Sequence, residues 1–221
     1  ANEFKIPCIG GKVSLYNETP SGPIKPTPLI GVLGLIDKKP LVSQKILSGD
    51  NLVIIGDTKD ELGGSEYFEY IHKFIGGNCP TVDFKESKKN MKSVLDSIKQ
   101  QIPKSAHDCS KGGLAVAVAE LCMTNQIGCK VSLNKVPGEK LTDDRILFSE
   151  SHSRYLLTID EKNIEKLENI LKKNKVKFQI IGKFGGKKIH FANGIKSIVA
   201  LDVNKAQKTW LTSLKNLVLH S

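Results

Sequence analysis

Two rhythms of apolar residues run along this chain, a period of two and a period near three and a half, and the changes between them mark its elements. Phe4 to Ile9 and Val13 to Tyr16 read as short strands separated by Gly10-Gly11, because Lys12-Val13-Ser14-Leu15 alternates as a half-buried strand does. Glu18 to Pro28 holds four prolines and one glycine in eleven residues, so it is a loop with little freedom. Leu29 to Ile36, LIGVLGLI, reads as a buried strand whose Gly31 and Gly34 permit close packing. Asp37-Lys38-Lys39-Pro40 then reads as a linker.

From Asn51 the pattern is α/β. NLVIIG, Asn51 to Gly56, is a continuous apolar strand followed by a polar loop from Asp57 to Leu62. Gly63-Gly64-Ser65-Glu66 opens a helix expected to run through Phe74 and to end at Gly76-Gly77. A second helix, capped near Ser87, places Met91, Val94, Leu95, Ile98 and Ile102 at three-and-four spacing on its expected buried face and stops before Pro103. His107 to Glu120, HDCSKGGLAVAVAE, reads as a loop running into a buried helix, with Leu114, Val118, Leu121 and Cys122 on the core side. Strands follow at Cys129 to Leu133 and Arg154 to Ile159. Asp160 caps a helix with Ile164, Leu167, Ile170 and Leu171 inward, and Phe178 to Ile181 closes a βαβ unit. Short strands around Lys188 to Phe191 and Ser197 to Leu201 precede a last helix from Asn204, expected to bury Ala206, Trp210, Leu214 and Leu217.

Composition changes this picture little. With 221 residues and 39% hydrophobic content, the chain can bury at least one sizeable core. Its longest apolar run, Leu29 to Ile36, is too short to span a bilayer, and no secretory leader pattern is present, so a soluble, cytoplasmic protein with no membrane partner is expected. The five cysteines are odd in number and include no CxxC pair, which argues against a disulfide framework or a structural zinc site. The net charge of +10 raises nucleic acid as a partner, but only Arg145 and Arg154 among the 33 basic residues are arginine. Scattered lysines without interleaved aromatics fit a solvated surface that steers phosphate-rich small ligands, and no nucleic acid is expected.

Two glycine pairs carry the candidate chemistry. Gly112-Gly113, behind His107, Asp108 and Ser110, has two readings: a helix N-terminus whose bare N–H groups receive an anion such as phosphate, or a core helix capped by Ser110. Gly10-Gly11 likewise permits a close backbone approach, with Lys12 and Ser14 on one strand face able to meet an anionic ligand; a plain hairpin with an exposed lysine is the alternative. No nucleophile-and-base pair is evident.

Taken in order, GGKVSLYNET, PTPLIGVLGLI, ELGGSEY, HDCSKGGLAVAVAE and LFSESHSRYLL resemble the C-terminal part of the synthetase subunit of the phosphoribosylformylglycinamidine synthase family, of the aminoimidazole ribonucleotide synthetase-like superfamily. That resemblance implies an α/β (α+β) fold with a mixed sheet and packed helices. Residues 1–37 would be the end of the second N-terminal-type domain and residues 38–221 the second C-terminal-type domain. The chain, which has no initiator Met and begins inside an expected sheet, would then be the C-terminal piece of a longer protein.

The resemblance also implies a reaction. With ATP and magnesium, the amide oxygen of formylglycinamide ribonucleotide becomes an iminophosphate, and ammonia from a glutaminase subunit displaces phosphate to give the amidine; a small accessory subunit completes the complex. Gly11 would lie at ATP and Ser14 at substrate. Lys12 stands where the family carries its magnesium asparagine, and since an ammonium cannot ligate a metal, a phosphate contact is expected there. Lys111 similarly stands where the family has aspartate.

Glu150-Ser151-His152 is similar to a segment that holds substrate in the first half of such proteins. In this half, His107, Asp108, Ser110, Gly112, Gly113, Glu150, Ser151 and Arg154 are expected to be structural or to hold an auxiliary nucleotide. The family's catalytic histidine has no counterpart here, so no catalytic residue is assigned and the isolated chain is expected to be inactive. Exposed apolar surface would favour its self-association. A non-catalytic nucleotide-holding or structural module is one alternative; aminoimidazole ribonucleotide synthetase, selenophosphate synthetase or thiamine-monophosphate kinase, of the same fold group, is the other.

Overall fold

A computed structural model describes the chain except Ser14, Lys25, Pro26, residues 37–41 and residues 220–221, and the side chains of Asn216, Leu217 and Leu219. It divides into two compact units, Ala1–Lys39 and Pro40–Ser221. The expected linker from Asp37 to Pro40 lies outside the described residues.

In the first unit a 3-10 turn spans Asn2–Phe4, and β1 (Glu18–Thr19) pairs antiparallel with β2 (Gly22–Pro23) inside the proline-rich stretch. The expected strands at Phe4 to Ile9, Val13 to Tyr16 and Leu29 to Ile36 are not formed among the described residues. The large apolar side chains from Leu29 to Ile36 are 72–96% exposed. Alternation specifies how a strand would face, but a strand forms only when a neighbour takes up its N–H and C=O groups, and the described residues of this unit supply none beside these segments.

The second unit is built on a seven-stranded mixed sheet. Its elements are β3 (Asn51–Ile55), α1 (Glu66–Tyr70), α2 (Phe84–Lys99), β4 (Ser105–Asp108), α3 (Gly113–Asn125), β5 (Cys129–Ser132), α4 (Asp143–Phe148), β6 (Tyr155–Ile159), α5 (Ile164–Lys173), β7 (Phe178–Phe184), β8 (Lys188–Asn193), β9 (Lys196–Asp202) and α6 (Val203–Leu219). The strand order is β4-β6-β3-β7-β5-β8-β9. Because β3 is antiparallel to both β6 and β7, those two strands run parallel with β3 between them, and the expected βαβ unit is a split one.

The continuous apolar run of β3 is explained by burial on both faces. Leu52 and Ile54 join a core with Leu114, Val118, Leu121 and Cys122 of α3, whereas Val53 and Ile55 join one with Val94 of α2 and Leu167 and Leu171 of α5. Helices therefore cover both sides of the sheet.

Several elements depart from the pattern. α1 stops at Tyr70 rather than Phe74, because the chain reverses: the Phe74 N–H returns to the Phe68 carbonyl at 3.0 Å and Lys73 takes φ +53°. Asp83, not Ser87, caps α2, accepting the Lys85 and Glu86 N–H groups at 2.9 Å. The buried face of α2 carries Ser87, Asn90, Ser93, Val94 and Ser97, leaving Met91 and Leu95 exposed. Small serines permit close approach and return their hydroxyls to their own helix, Ser93 to the Lys89 carbonyl at 2.9 Å and Ser97 to the Ser93 carbonyl at 2.8 Å. α4 is too short to show a period and was not expected. Among the described side chains of α6, Val203 and Ala206 of the first turns reach the core, whereas Trp210 is 57% and Leu214 71% exposed; the Leu217 side chain lies outside the described residues.

Candidate functional site

Where the central motif enters α3, the side chains of adjacent residues part. His107 and Asp108 are not in a loop but on β4, paired with Leu156 and Tyr155 of β6. Successive strand residues face opposite ways, so the two diverge. His107 faces a pocket with Glu120 and Trp210, where its Nε2 lies 3.4 Å from Glu120 Oε2 and its Nδ1 2.6 Å from the Asp108 carbonyl oxygen. Asp108 instead lines a cleft of about 490 Å³ with Ser110, Lys111, Glu150 and Arg154. That volume lies within the ~300–1,000 Å³ usual for small-molecule sites.

The helix N-terminus in this cleft is already supplied with an anion. Gly112, with φ +75°, is the N-cap of α3, and its N–H donates to Glu150 Oε1 at 2.8 Å. The same oxygen lies 3.4 Å from the Glu66 amide nitrogen at the start of α1, so one carboxylate serves two helix starts. Ser110 makes no side-chain cap; its carbonyl instead accepts the Gly113 N–H at 3.0 Å. Lys111 reaches outward to Glu66 Oε1 at 3.0 Å, a contact that leads among the causes raising its pKa. Ser110 thus provides no side-chain cap, and the Gly112 and Gly113 N–H groups are taken by Glu150 and by the Ser110 carbonyl.

Glu150 is held in place by the segment around it. Its N–H donates to the Glu61 carbonyl at 3.0 Å, and the Ser151 hydroxyl accepts the Lys59 N–H at 3.0 Å. Arg154, only 1% exposed, donates from Nε to the Ser151 carbonyl at 3.1 Å, from Nη1 to Thr58 Oγ1 at 3.0 Å and from Nη2 to the Ser149 carbonyl. These partners are all neutral, and burial pushes the guanidinium pKa down. A buried cation bonded to three loop oxygens braces the 149–154 segment against the 57–61 loop. Thr58 and Ser149 contribute to this brace; Thr58 lies in no motif, and Ser149, although inside LFSESHSRYLL, is identified only by its packing. Ser153 takes φ +61° and its carbonyl accepts from Asn90 Nδ2 at 3.0 Å.

Gly11 and Lys12 are exposed in the first unit, with nothing within 4 Å of a Cβ built on Gly11, and Ser14 lies outside the described residues. Among the described residues no group of three or more His, Cys, Asp or Glu is placed to hold a metal ion. At the α3 N-terminus Glu150 takes the Gly112 N–H that an anion would otherwise meet. Among the described residues no helix is long and apolar enough to cross a membrane.

Comparison with known proteins gives one family. Residues 48–193 match the model of the AIR synthase related protein, C-terminal domain. The chain is 40% identical over 226 residues to the phosphoribosylformylglycinamidine synthase subunit PurL of Methanocaldococcus jannaschii, covering 99% of this chain and 30% of that protein. It is 36% identical to the PurL subunit of Alkaliphilus metalliredigens, covering 98% and 29% respectively. Among solved structures, T. maritima PurL complexed with FGAR superposes with a TM-score of 0.69 at 18% identity, over 76% of this chain and 29% of that one. E. coli HypE, a hydrogenase maturation protein, superposes at 0.51 and 16% identity, over 72% and 51%. This chain thus spans about 30% of the length of the curated relatives it matches.

Proposed function

The chain belongs to the AIR synthase related protein family, as its C-terminal domain, and from that premise we propose that it forms roughly the last third of a phosphoribosylformylglycinamidine synthase synthetase subunit. The observation that carries this reading is 40% identity to a PurL subunit in a match that covers 99% of the chain. The proposed reaction is ATP-dependent conversion of formylglycinamide ribonucleotide to the amidine, in the cytoplasm, with ammonia drawn from glutamine by a glutaminase subunit beside a small accessory subunit. ATP is named with a T. maritima PurL structure, as are ADP and AMPPCP.

Within that assembly the residues of this chain hold and position. Gly11 offers a backbone with open space around it, and Lys12 an ammonium suited to a phosphoryl oxygen, with Ser14 toward the substrate. The 149–154 segment, fastened by Arg154, keeps Glu150 on the α3 and α1 N-termini. With Lys12 at the family's magnesium position, a phosphate contact is proposed there in place of a metal ligand, and the isolated chain is proposed to be inactive. The exposed apolar residues of the first unit favour self-association of the isolated chain.

A chimera tests this, with the chain replacing the matching 30% of the Methanocaldococcus jannaschii subunit. ATP- and ammonia-dependent product is expected from the chimera and none from the chain alone. A folded but inactive chimera, or product from the chain alone, would overturn the assignment. In the chimera, Lys12→Asn should alter the magnesium titration as well as ATP affinity.

A second reading concerns the α3 cleft alone, and the 2.8 Å contact of Glu150 with the Gly112 N–H favours it: a structural joint rather than an auxiliary nucleotide site. Calorimetric titration of the chain with ADP should then show no heat of binding.

A further inference from the structure

α2 and α5, on the sheet face opposite α3, form a groove whose charge the proposed reaction does not use. Lys89 Nζ donates to the Lys175 carbonyl at 3.3 Å and Asn174 Nδ2 to Ser93 Oγ at 2.9 Å, while Lys99 lines the same groove as Lys166. Moving forward along α2 therefore moves backward along α5, and the two helices are antiparallel. The groove between them, about 460 Å³, carries Lys92 and Lys173 at one end and Lys99 and Lys166 at the other. On each helix the two lysines are seven residues apart, two turns or roughly 10 Å along the axis.

Asp96 is the one carboxylate lining this groove among the described residues, and it is ion-paired with Lys92. Three lysines are left without a carboxylate of their own in the groove. Ile170, half-buried, forms an apolar point on its floor. Two lysine rails of equal period, flanking a narrow floor, have the geometry of a seat for a third helix.

We propose that the α2–α5 groove docks an acidic amphipathic helix of a partner protein. Carboxylates seven residues apart on the two edges of that helix meet Lys92 and Lys99 on one side and Lys173 and Lys166 on the other, with a small apolar residue between them on Ile170. A small phosphate is the poorer occupant. The walls are the sides of helices, whose N–H groups are spent internally, so such an ion meets only mobile ammonium heads. Nucleic acid is also poorly matched, because the groove holds neither arginine nor an aromatic ring.

The test uses the full chain and a fluorescent, alanine-based helical peptide of roughly 21 residues, three heptads, with glutamates along two edges. A proline-interrupted peptide of the same composition and a single-stranded DNA of equal charge serve as competing probes. The chain should bind the helical peptide about tenfold more tightly than does a Lys99→Glu/Lys166→Glu/Lys173→Glu variant, the loss expected for three exposed ion pairs. A control changing Lys188, Lys205 and Lys208 to Glu, away from the groove, should bind within about twofold of the parent. Should the groove variant misfold by circular dichroism, Lys→Gln at the same three positions is read instead. Equal loss in groove and control variants, equal binding of the interrupted peptide, or preference for the DNA would each overturn the proposal.

Discussion

Gly113→Ala probes the α3 joint most directly. Gly113 has φ +62°, and a Cβ there would meet the Ser149 carbonyl oxygen at 2.5 Å, the Leu147 carbonyl oxygen at 2.8 Å and the Phe148 carbonyl carbon at 2.9 Å. The left-handed conformation alone costs an L-residue about 1–2 kcal/mol. All three contacts are with backbone that has little room to yield. The Ser149 carbonyl accepts from Arg154 Nη2, the Ser149 N–H donates to the Arg145 carbonyl at 3.0 Å, and the Leu147 side chain is packed in the core. Moving this segment weakens a buried hydrogen bond from a charged donor, worth about 1.5–3 kcal/mol. The expected destabilisation is about 3–4 kcal/mol, a large part of the ~5–15 kcal/mol by which a domain is stable. Gly112→Ala is the internal comparison. Its φ is +75°, and an added Cβ meets one side chain, that of Val116, whose Cγ2 at 2.3 Å can rotate away at some cost while its Cβ at 2.9 Å stays put, so about 2 kcal/mol is expected. Gly11→Ala, with open space around it, should change stability by less than ~0.5 kcal/mol. Urea unfolding followed by circular dichroism measures all three. A Gly113→Ala chain within about 1 kcal/mol of the parent, or less affected than Gly112→Ala, would refute the reasoning.

Three further outcomes are expected. Glu150→Gln, which removes the charge facing two helix starts, should destabilise the chain by about 1 kcal/mol in the same urea assay, with the loss shrinking in high salt if the helix dipoles are its source. The Lys104 ammonium, 2.6 Å from Asp50 Oδ1 and 3.5 Å from Asp160 Oδ2, is held above its ordinary value, chiefly by the Asp50 hydrogen bond against the pull of burial. Folding therefore binds that proton more tightly: the gain is complete below about pH 10 and fades as pH rises through the folded value, so the melting-point gap between the parent and Lys104→Met should narrow on going from neutral to strongly alkaline buffer. Thiol labelling should separate exposed Cys8 and Cys79, modified at once, from Cys109, Cys122 and Cys129, modified only on unfolding; burial pushes the Cys109 thiol up to about 11, Cys122 up to about 12 and Cys129 well above its ordinary range.

Much of the second unit was legible along the chain because its information is local. NLVIIG is apolar without alternation, and β3 is indeed covered on both faces; the apolar positions of HDCSKGGLAVAVAE lie inward on α3. The reading of α2 held for Val94, Ile98 and Ile102 but not for Met91 and Leu95, because the helix also comes close through serines that bond their own backbone, which apolar spacing does not mark. LIGVLGLI shows the other limit, since its rhythm specifies a strand but not the partner that a strand requires.

The sequence by itself determined the order and type of most elements, the family and the residues gathered at the α3 cleft. Only the tertiary structure decided what those residues do. Asp108 and His107 diverge because adjacent strand positions face opposite sides of a sheet. Glu150 reaches the Gly112 N–H from 38 positions away, and Arg154 reaches Thr58 across 96, distances along the chain that no local period encodes and that the folding of the sheet alone brings within hydrogen-bonding range.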